Sequence, residues 1–397
     1  MKHRYILFLI LGIDVLLLYL LTLELSISRY EASTLYGSLS FLQVIVNTSL
    51  YILGHNDFAL RFPMILMHVV SLLLLYKISK KYVKYERDRL WVVLIFTLLP
   101  GVISSSLLIN SAGVIIFGLF LFIYTYENLA LKYSYFLLSC YLFIDSGFVY
   151  LFISMIAYSL YIKNSKFLAL NVVLLGTSIY MFGFNAHGMP KGHFLDTIGL
   201  YAAIFTPIIF IYLFYVIYRK LLTKEMSLLW FISAVSLSLS LILSFRQKIE
   251  VEIFAPYLIV ALPLAAQTLS SSYRVRLKEF RKKYRAVFIL SLILLFLNAF
   301  VIIFNKELYV LLEKPKKHFA HKMHVAKELA TELKSRGIDC LSTSQHMSIR
   351  LKFYGISQCD SYKLRRGYSN IDDSSNVTIS YNNIIIYKAS VTKINTK

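Results

Sequence analysis

Few side chains in this sequence could do chemistry, and they sit in short polar breaks between long apolar runs. Glu31 lies just past the first run, beside Tyr30 in Ser28-Arg-Tyr-Glu-Ala-Ser-Thr-Leu-Tyr36. A carboxylate there can take a proton from a hydroxyl or ligate a metal. It can equally mark a helix start, where the dipole favours acids. Asp57 and Arg61 could hold a substrate, or form a structural ion pair at the start of the next run. The segment 185–197 gathers His187, Lys191, His193 and Asp196 around Gly and Pro. Its N and O donors suit a divalent metal ion, and His193 and Asp196, three apart, can share a helix face; the bland reading is a polar loop at the headgroups. Arg246 and Lys248 could grip a phosphate, the guanidinium with its planar fork and the ammonium as a point charge. With Glu250 and Glu252 they could instead form a surface ion-pair cluster of little energetic weight. His318, His321 and His324 repeat every three residues, but Lys316, Lys317 and Lys322 beside them would repel a cation. Asp14, inside an apolar run, either serves function or pairs with a neighbouring helix.

Only a membrane-embedded scaffold can position these groups. Of 397 residues, 58% are hydrophobic and 16% charged, against about 45–50% and about 25% in an ordinary soluble domain. One buried core cannot absorb that excess, which excludes a soluble enzyme. The 30 Tyr and 29 Phe exclude disorder. The apolar runs are long and unbroken rather than alternating, which excludes an outer-membrane barrel. A polytopic α-helical membrane protein remains. The net charge of +21 would suggest nucleic acid in a soluble chain, but the bases cluster in short loops, as membrane insertion requires, so no nucleic-acid partner is expected.

Apolar runs lie near 5–25, 60–76, 90–109, 113–126, 134–145, 148–162, 167–184, 198–218, 226–244, 256–270 and 286–304. Met1–Arg4 is basic and no cleavage site follows, so the first run reads as a transmembrane helix. Runs 134–145 and 148–162 could be one helix or a hairpin turning at Asp145-Ser-Gly147. The hairpin puts 21 bases inside and 5 outside, whereas one helix gives 12 and 14. The positive-inside rule selects the hairpin. We therefore expect eleven spans in a cell inner membrane, with a cytoplasmic N-terminus and an extracytoplasmic C-terminus.

The expected organisation is a membrane domain, 1–304, with outer loops 26–59, 185–197 and 245–256, followed by a soluble C-terminal α/β domain, 305–397. Leu39–Leu53 is amphipathic and suits a helix in the membrane interface. In the tail, Ala320–Arg336 has helical spacing before Gly337, while Ile338–Ser342 and Asn376–Lys388 read as strands. Cys340 and Cys359 could pair in an oxidising compartment. No internal repeat is visible.

Three segments carry a family likeness: Ser28-Arg-Tyr-Glu-Ala-Ser-Thr-Leu-Tyr36 after the first run, Gly54-His-Asn-Asp-Phe-Ala-Leu-Arg-Phe-Pro63 into the second, and Leu99-Pro-Gly-Val-Ile-Ser-Ser-Ser-Leu-Leu-Ile-Asn-Ser111 before the fourth. Their order and spacing resemble the GT-C membrane glycosyltransferases, in the branch of protein O-mannosyltransferases and the bacterial lipid A aminoarabinose transferase. The resemblance implies transfer of a sugar from a polyprenyl-phosphate carrier to a glycolipid, glycan or protein acceptor at the outer face. Membrane lipids and the lipid-linked sugar donor would then be its partners. It implies an acid in the first outer loop acting near the acceptor hydroxyl, here Glu31, and substrate contacts from Tyr30, Asp57, Arg61, Lys191, Arg246 and Lys248. A divalent metal on His187, His193 and Asp196 would be a possible cofactor.

The sequence departs from the family at one critical place. The Asp-Glu pair typical of the first outer loop is absent. In one register Tyr30 and Glu31 stand there; in another, where Arg29-Tyr30 match an Arg-Tyr that follows the pair, Ser26 and Ile27 do. The family's second acid after the third span is here Asn110. Two competing readings are a lipid or polysaccharide transporter, disfavoured because ionisable residues concentrate in loops, and a GT-C-like scaffold without activity.

Overall fold

The computed structural model describes residues 2–183, 192–312, 315–367 and 376–394. The chain divides into two compact units, one of Met1–Leu16 with Met64–Ala299 and one of Leu17–Pro63 with Phe300–Lys397.

In chain order, the helices of the membrane part are α1 (Lys2–Glu24), α2 (Arg29–Tyr36), α3 (Phe41–Leu53), α4 (Asp57–Tyr82), α5 (Glu86–Leu98), α6 (Pro100–Leu107), α7 (Ser111–Asn128), α8 (Leu131–Tyr141), α9 (Val149–Tyr161), α10 (Ser165–Phe182), α11 (Phe194–Phe205), α12 (Pro207–Leu222), α13 (Leu228–Ser244), α14 (Val251–Ile259), α15 (Leu262–Val275) and α16 (Arg281–Ile303). This is a polytopic helical membrane protein. Among the described residues, five helices are long and apolar enough to cross a membrane alone, or up to nine if each bent pair counts as one span.

The breaks follow local chemistry. Proline removes a donor and drives the residue before it out of helical geometry. Thus α5 and α6 meet at 64° where Leu99 precedes Pro100. The single span expected over 198–218 is instead α11 and α12 at 107°. Thr206, before Pro207, takes φ +65°, a left-handed conformation that β-branched residues rarely adopt. The expected break between α8 and α9 does fall at Asp145–Gly147, where the Asp145 carboxylate accepts the Gly147 amide at 2.7 Å. Gly147 packs closely there: an added Cβ would lie 2.5 Å from the Ile115 side-chain tip, and the Tyr257 hydroxyl donates to the Gly147 carbonyl at 2.7 Å.

Within this unit Asp14 on α1 meets His68 on α4, Oδ2 to Nε2 at 2.7 Å. The His68 ring stacks on Phe96. The intramembrane acid therefore has a helix-pairing partner, which meets the cost of a polar group at that depth.

The second unit holds the remaining elements: α17 (Ala326–Ser335), α18 (Gln345–Phe353), β1 (Tyr362–Arg366), β2 (Asn376–Tyr381) and β3 (Ile384–Lys393). The sheet is antiparallel in the order β1-β3-β2. The continuous strand expected over 376–388 is a hairpin. It turns at Asn382-Asn383, both at positive φ, which Asn tolerates and a tight hairpin needs. The expected helix 320–336 begins only at Ala326. Upstream, His318 accepts the Ala320 amide on its own ring and bends the chain into short turns. The apolar face of α17, Leu329 and Leu333, packs in a core with Val377, Ile386 and Ala389. Ile338–Ser342 makes only single bridges, Cys340 with Ser357 and Ser342 with Lys363.

Candidate functional site

The residues expected to act in the first outer loop form a buried polar hub within the second unit. It begins with two local needs. Helix α1 ends with carbonyls that have no intrahelical partner, and α2 starts with amides in the same position. Ser28 and Glu31 answer the second need as a capping box. The Ser28 hydroxyl accepts the Glu31 amide at 3.1 Å, and Glu31 Oε2 accepts the Ser28 amide at 2.8 Å.

Arg61 answers the first need. Its Nη1 donates to the carbonyls of Thr22 at 3.3 Å and Leu25 at 2.7 Å, and its Nη2 to that of Ser26 at 3.1 Å. The rest of the fork closes on Glu31, Nε to Oε1 at 3.1 Å and Nη2 to Oε2 at 3.2 Å. All five guanidinium donors are thereby used. Both side chains are 0% exposed. This geometry is the fully compensated kind that makes a buried ion pair tolerable.

Asp57, one turn before Arg61, does not make the ion pair with it that the i, i+4 spacing suggested. Its carboxylate lies at the N-terminus of α4, accepts the Tyr354 hydroxyl at 2.7 Å and pairs with Lys327 at 2.9 Å. The Tyr354 oxygen in turn accepts the Ile27 amide at 2.8 Å. Burial, and then the adjacent Asp57 carboxylate, raise the Tyr354 phenol well above its usual range, so it stays a donor. Arg350 donates to the Ile27 carbonyl at 2.8 Å and also bonds the Lys322 carbonyl. Ser26 donates its hydroxyl and its amide to the Met323 carbonyl, at 2.7 and 2.8 Å.

The candidates thus fall into different settings. Glu31, expected as the base, touches Arg61 and Ser28 and has no exposed surface. Arg61 and Asp57, expected at the substrate, are buried with protein partners. Ser26 and Ile27, which fill the acidic positions in the other register, are buried as well. Tyr30 is 52% exposed on α2. Glu24 is exposed in the last turn of α1, inside the first apolar run, where no polar break marks it in the sequence.

In the other unit, Phe194 at the start of α11 stacks on Phe245 at the end of α13, ring centroids 4.8 Å apart. That contact brings the His193–Asp196 segment beside the segment that begins at Arg246. Arg246 and Lys248 are exposed. Among the described residues, Lys248 makes no ion pair with Glu250 or Glu252. His193 and Asp196 approach at 3.5 Å. His187 and Lys191 lie outside the described residues. No group of three metal-ligating side chains occurs among the described residues. The three tail histidines hold structure instead: His318 bonds the Asn305 carbonyl, His321 that of Ile386, and His324 the Tyr309 hydroxyl.

Cys340 and Cys359 form a disulfide with Cα atoms 5.5 Å apart. It brackets α18, which carries Arg350, and Tyr354 just after it. Nothing in the sequence marks those two side chains, or Lys327, as partners of residues some 300 positions earlier.

Neither a family model nor a curated protein sequence matches the chain. Among solved structures it is similar to ArnT from Cupriavidus metallidurans in the apo state, with a TM-score of 0.56 at 10% identity. The match covers 96% of this chain and 97% of that one. The likeness shows the fold: the chain shares the architecture of that structure from end to end.

Proposed function

We propose that this protein is an integral membrane glycosyltransferase of the GT-C type. In this reading it moves a sugar from a polyprenyl-phosphate carrier to a glycolipid, glycan or protein acceptor at the outer face of the inner membrane. The observation that carries the reading is a shared fold that runs end to end over both chains. In the reaction the acceptor oxygen bonds to the anomeric carbon, the bond from that carbon to the carrier phosphate breaks, and the acceptor proton leaves to a base or to water. The departing phosphate needs cationic stabilisation. Arg246 supplies a fork and Lys248 a point charge, with the His193–Asp196 segment beside them on the donor side.

In this proposal Glu31 and Arg61 are positioning residues. They frame the turn between α1 and α2 and do not touch the reacting atoms. Glu24, at the end of α1 just before that loop, is then a carboxylate with solvent access that can accept a proton.

Glu24→Gln and Glu31→Gln, assayed with polyprenyl-phosphate sugar in purified form, test these roles. Loss of a base costs ~10²–10⁴-fold in turnover with unchanged thermal stability. We expect that pattern at Glu24 and a loss of stability with retained turnover at Glu31. The reverse pattern would restore Glu31 as the base.

A second reading, a GT-C-like scaffold without transfer, draws support from Ser26 and Ile27 standing where the family's acids would be in one register. Comparing lipid-linked sugars in cells with and without the protein separates the two. A transferase leaves sugar-loaded carrier to accumulate when removed; a silent scaffold changes nothing.

A further inference from the structure

One charged face of the first unit has no part in the proposed transfer. It is assembled from two segments far apart in sequence, 77–89 and 274–285. The first carries six bases and two acids, the second seven bases and one acid. Bases in membrane loops are ordinary. Here, however, the two runs are built into one surface. Arg274 pairs with Asp88 at 2.5 Å and lies over the Tyr85 ring, 3.5 Å from its centroid. Trp91 on α5 meets Phe288 on α16 edge to face at 5.4 Å. Arg281 donates to the carbonyls of Arg276 at 2.9 Å and Arg274 at 3.0 Å, which fixes the link between α15 and α16.

Two features of that link point to a ligand. First, among the described residues the side chains of Lys278, Lys282, Lys283 and Arg285 make no hydrogen bond, ion pair or ring contact, and all four are exposed. Second, apolar side chains alternate with the bases and face outward: Val275 is 87% exposed, Leu277 71% and Phe280 57%. A soluble polyanion would match the charge but not these side chains. A lipid surface matches both, because apolar groups enter the acyl boundary while bases meet the phosphates.

We propose that the face formed by residues 77–89 and 274–285 binds anionic phospholipid headgroups of the leaflet it meets, with Lys278, Lys282, Lys283 and Arg285 taking the phosphates and Val275, Leu277 and Phe280 seated in the acyl boundary. Electrostatic attraction of a base near an anionic surface is worth roughly fivefold in binding per charge, so removing four should cut retention more than tenfold.

The test uses the full chain in nanodiscs of phosphatidylcholine with or without phosphatidylglycerol. The phosphatidylglycerol retained after detergent exchange is counted by native mass spectrometry. Quenching of Trp91 by brominated phosphatidylglycerol, against brominated phosphatidylcholine, locates it. We expect selective retention and quenching, lost in a Lys278→Gln, Lys282→Gln, Lys283→Gln, Arg285→Gln variant. Leu277→Asn with Phe280→Asn should also lose retention with every charge kept. Where the fourfold variant does not insert, Lys283→Gln with Arg285→Gln is read instead. Equal retention by the variants overturns the proposal. So does full competition by inorganic phosphate, which would mean a free-phosphate site, or tighter binding of an oligonucleotide that displaces the lipid.

Discussion

The buried hub around Arg61 and the exposed segment around Arg246 both set arginine beside carboxylates, with opposite outcomes. At Arg61 every donor is used and no surface remains. At Arg246 and Lys248 the bases are exposed, on a segment that follows the Phe194–Phe245 stack. A desolvated, fully bonded cluster fixes a chain path; exposed bases stay solvated. Sequence spacing alone treats the two alike.

The comparison breaks most readily at Arg61. Arg61→Leu leaves Glu31 buried without its counter-charge and three carbonyls without donors. We expect a loss of about 3–5 kcal/mol, read as failure to accumulate in the membrane. Arg246→Leu should accumulate normally, and equal loss in both variants would erase the distinction. Next comes the disulfide. Cys340→Ser opens a loop of 19 residues, worth about 3 kcal/mol, and should loosen Arg350 and Tyr354 from the first loop. Protease sensitivity near Ser26–Ser28 would report it.

Tyr354→Phe sharpens the same point at smaller scale. It takes one donor from Asp57, which keeps Lys327, and strands the Ile27 amide, for about 1–3 kcal/mol, and an unchanged melting temperature would remove Tyr354 from the hub.

The last expected effect is one of pH. Burial, then His318, Lys306 and His321, push His324 down to about 3. Its folded value lies below the unfolded one, so the unfolded chain takes up the proton first. Stability is full above about pH 6.5 and falls by about 1.4 kcal/mol per unit toward pH 3. His324→Phe should flatten that slope between pH 6.5 and 5, and an unaltered slope would assign it elsewhere.

Much of the membrane architecture was legible from the residues. Apolar runs gave the helices, and Asp145-Ser-Gly147 gave the break between α8 and α9. The bend at Thr206 was also written in the sequence, as Thr before Pro, but the apolar run continues through it and hid it. In the tail, Asn382-Asn383 was a hairpin signal inside a run read as one strand. The hub was legible only in part. The Ser28–Glu31 capping box is local and visible. The choice of Glu31 over Asp57 by Arg61 is not, because that choice depends on where three carbonyls at the end of α1 point. Arg350, Tyr354 and Lys327 carry no pattern of their own. Their meaning comes from residues 26–57, which only the folded chain sets beside them.

The bonds that close the loop between α1 and α2 also fix an order of events during synthesis. The capping box and the Arg61 fork join residues within 40 positions of each other and can form as soon as α4 emerges. Ser26 and Ile27 must wait for Met323, Arg350 and Tyr354, up to 327 positions later. At ~5–20 residues per second, that delay is roughly 15–65 seconds. Throughout it the amide and carbonyl of Ile27 depend on water or a chaperone. The nascent chain therefore carries an unfinished first loop until Tyr354 is made, and a stop codon between α16 and Tyr354 would damage the molecule near its beginning.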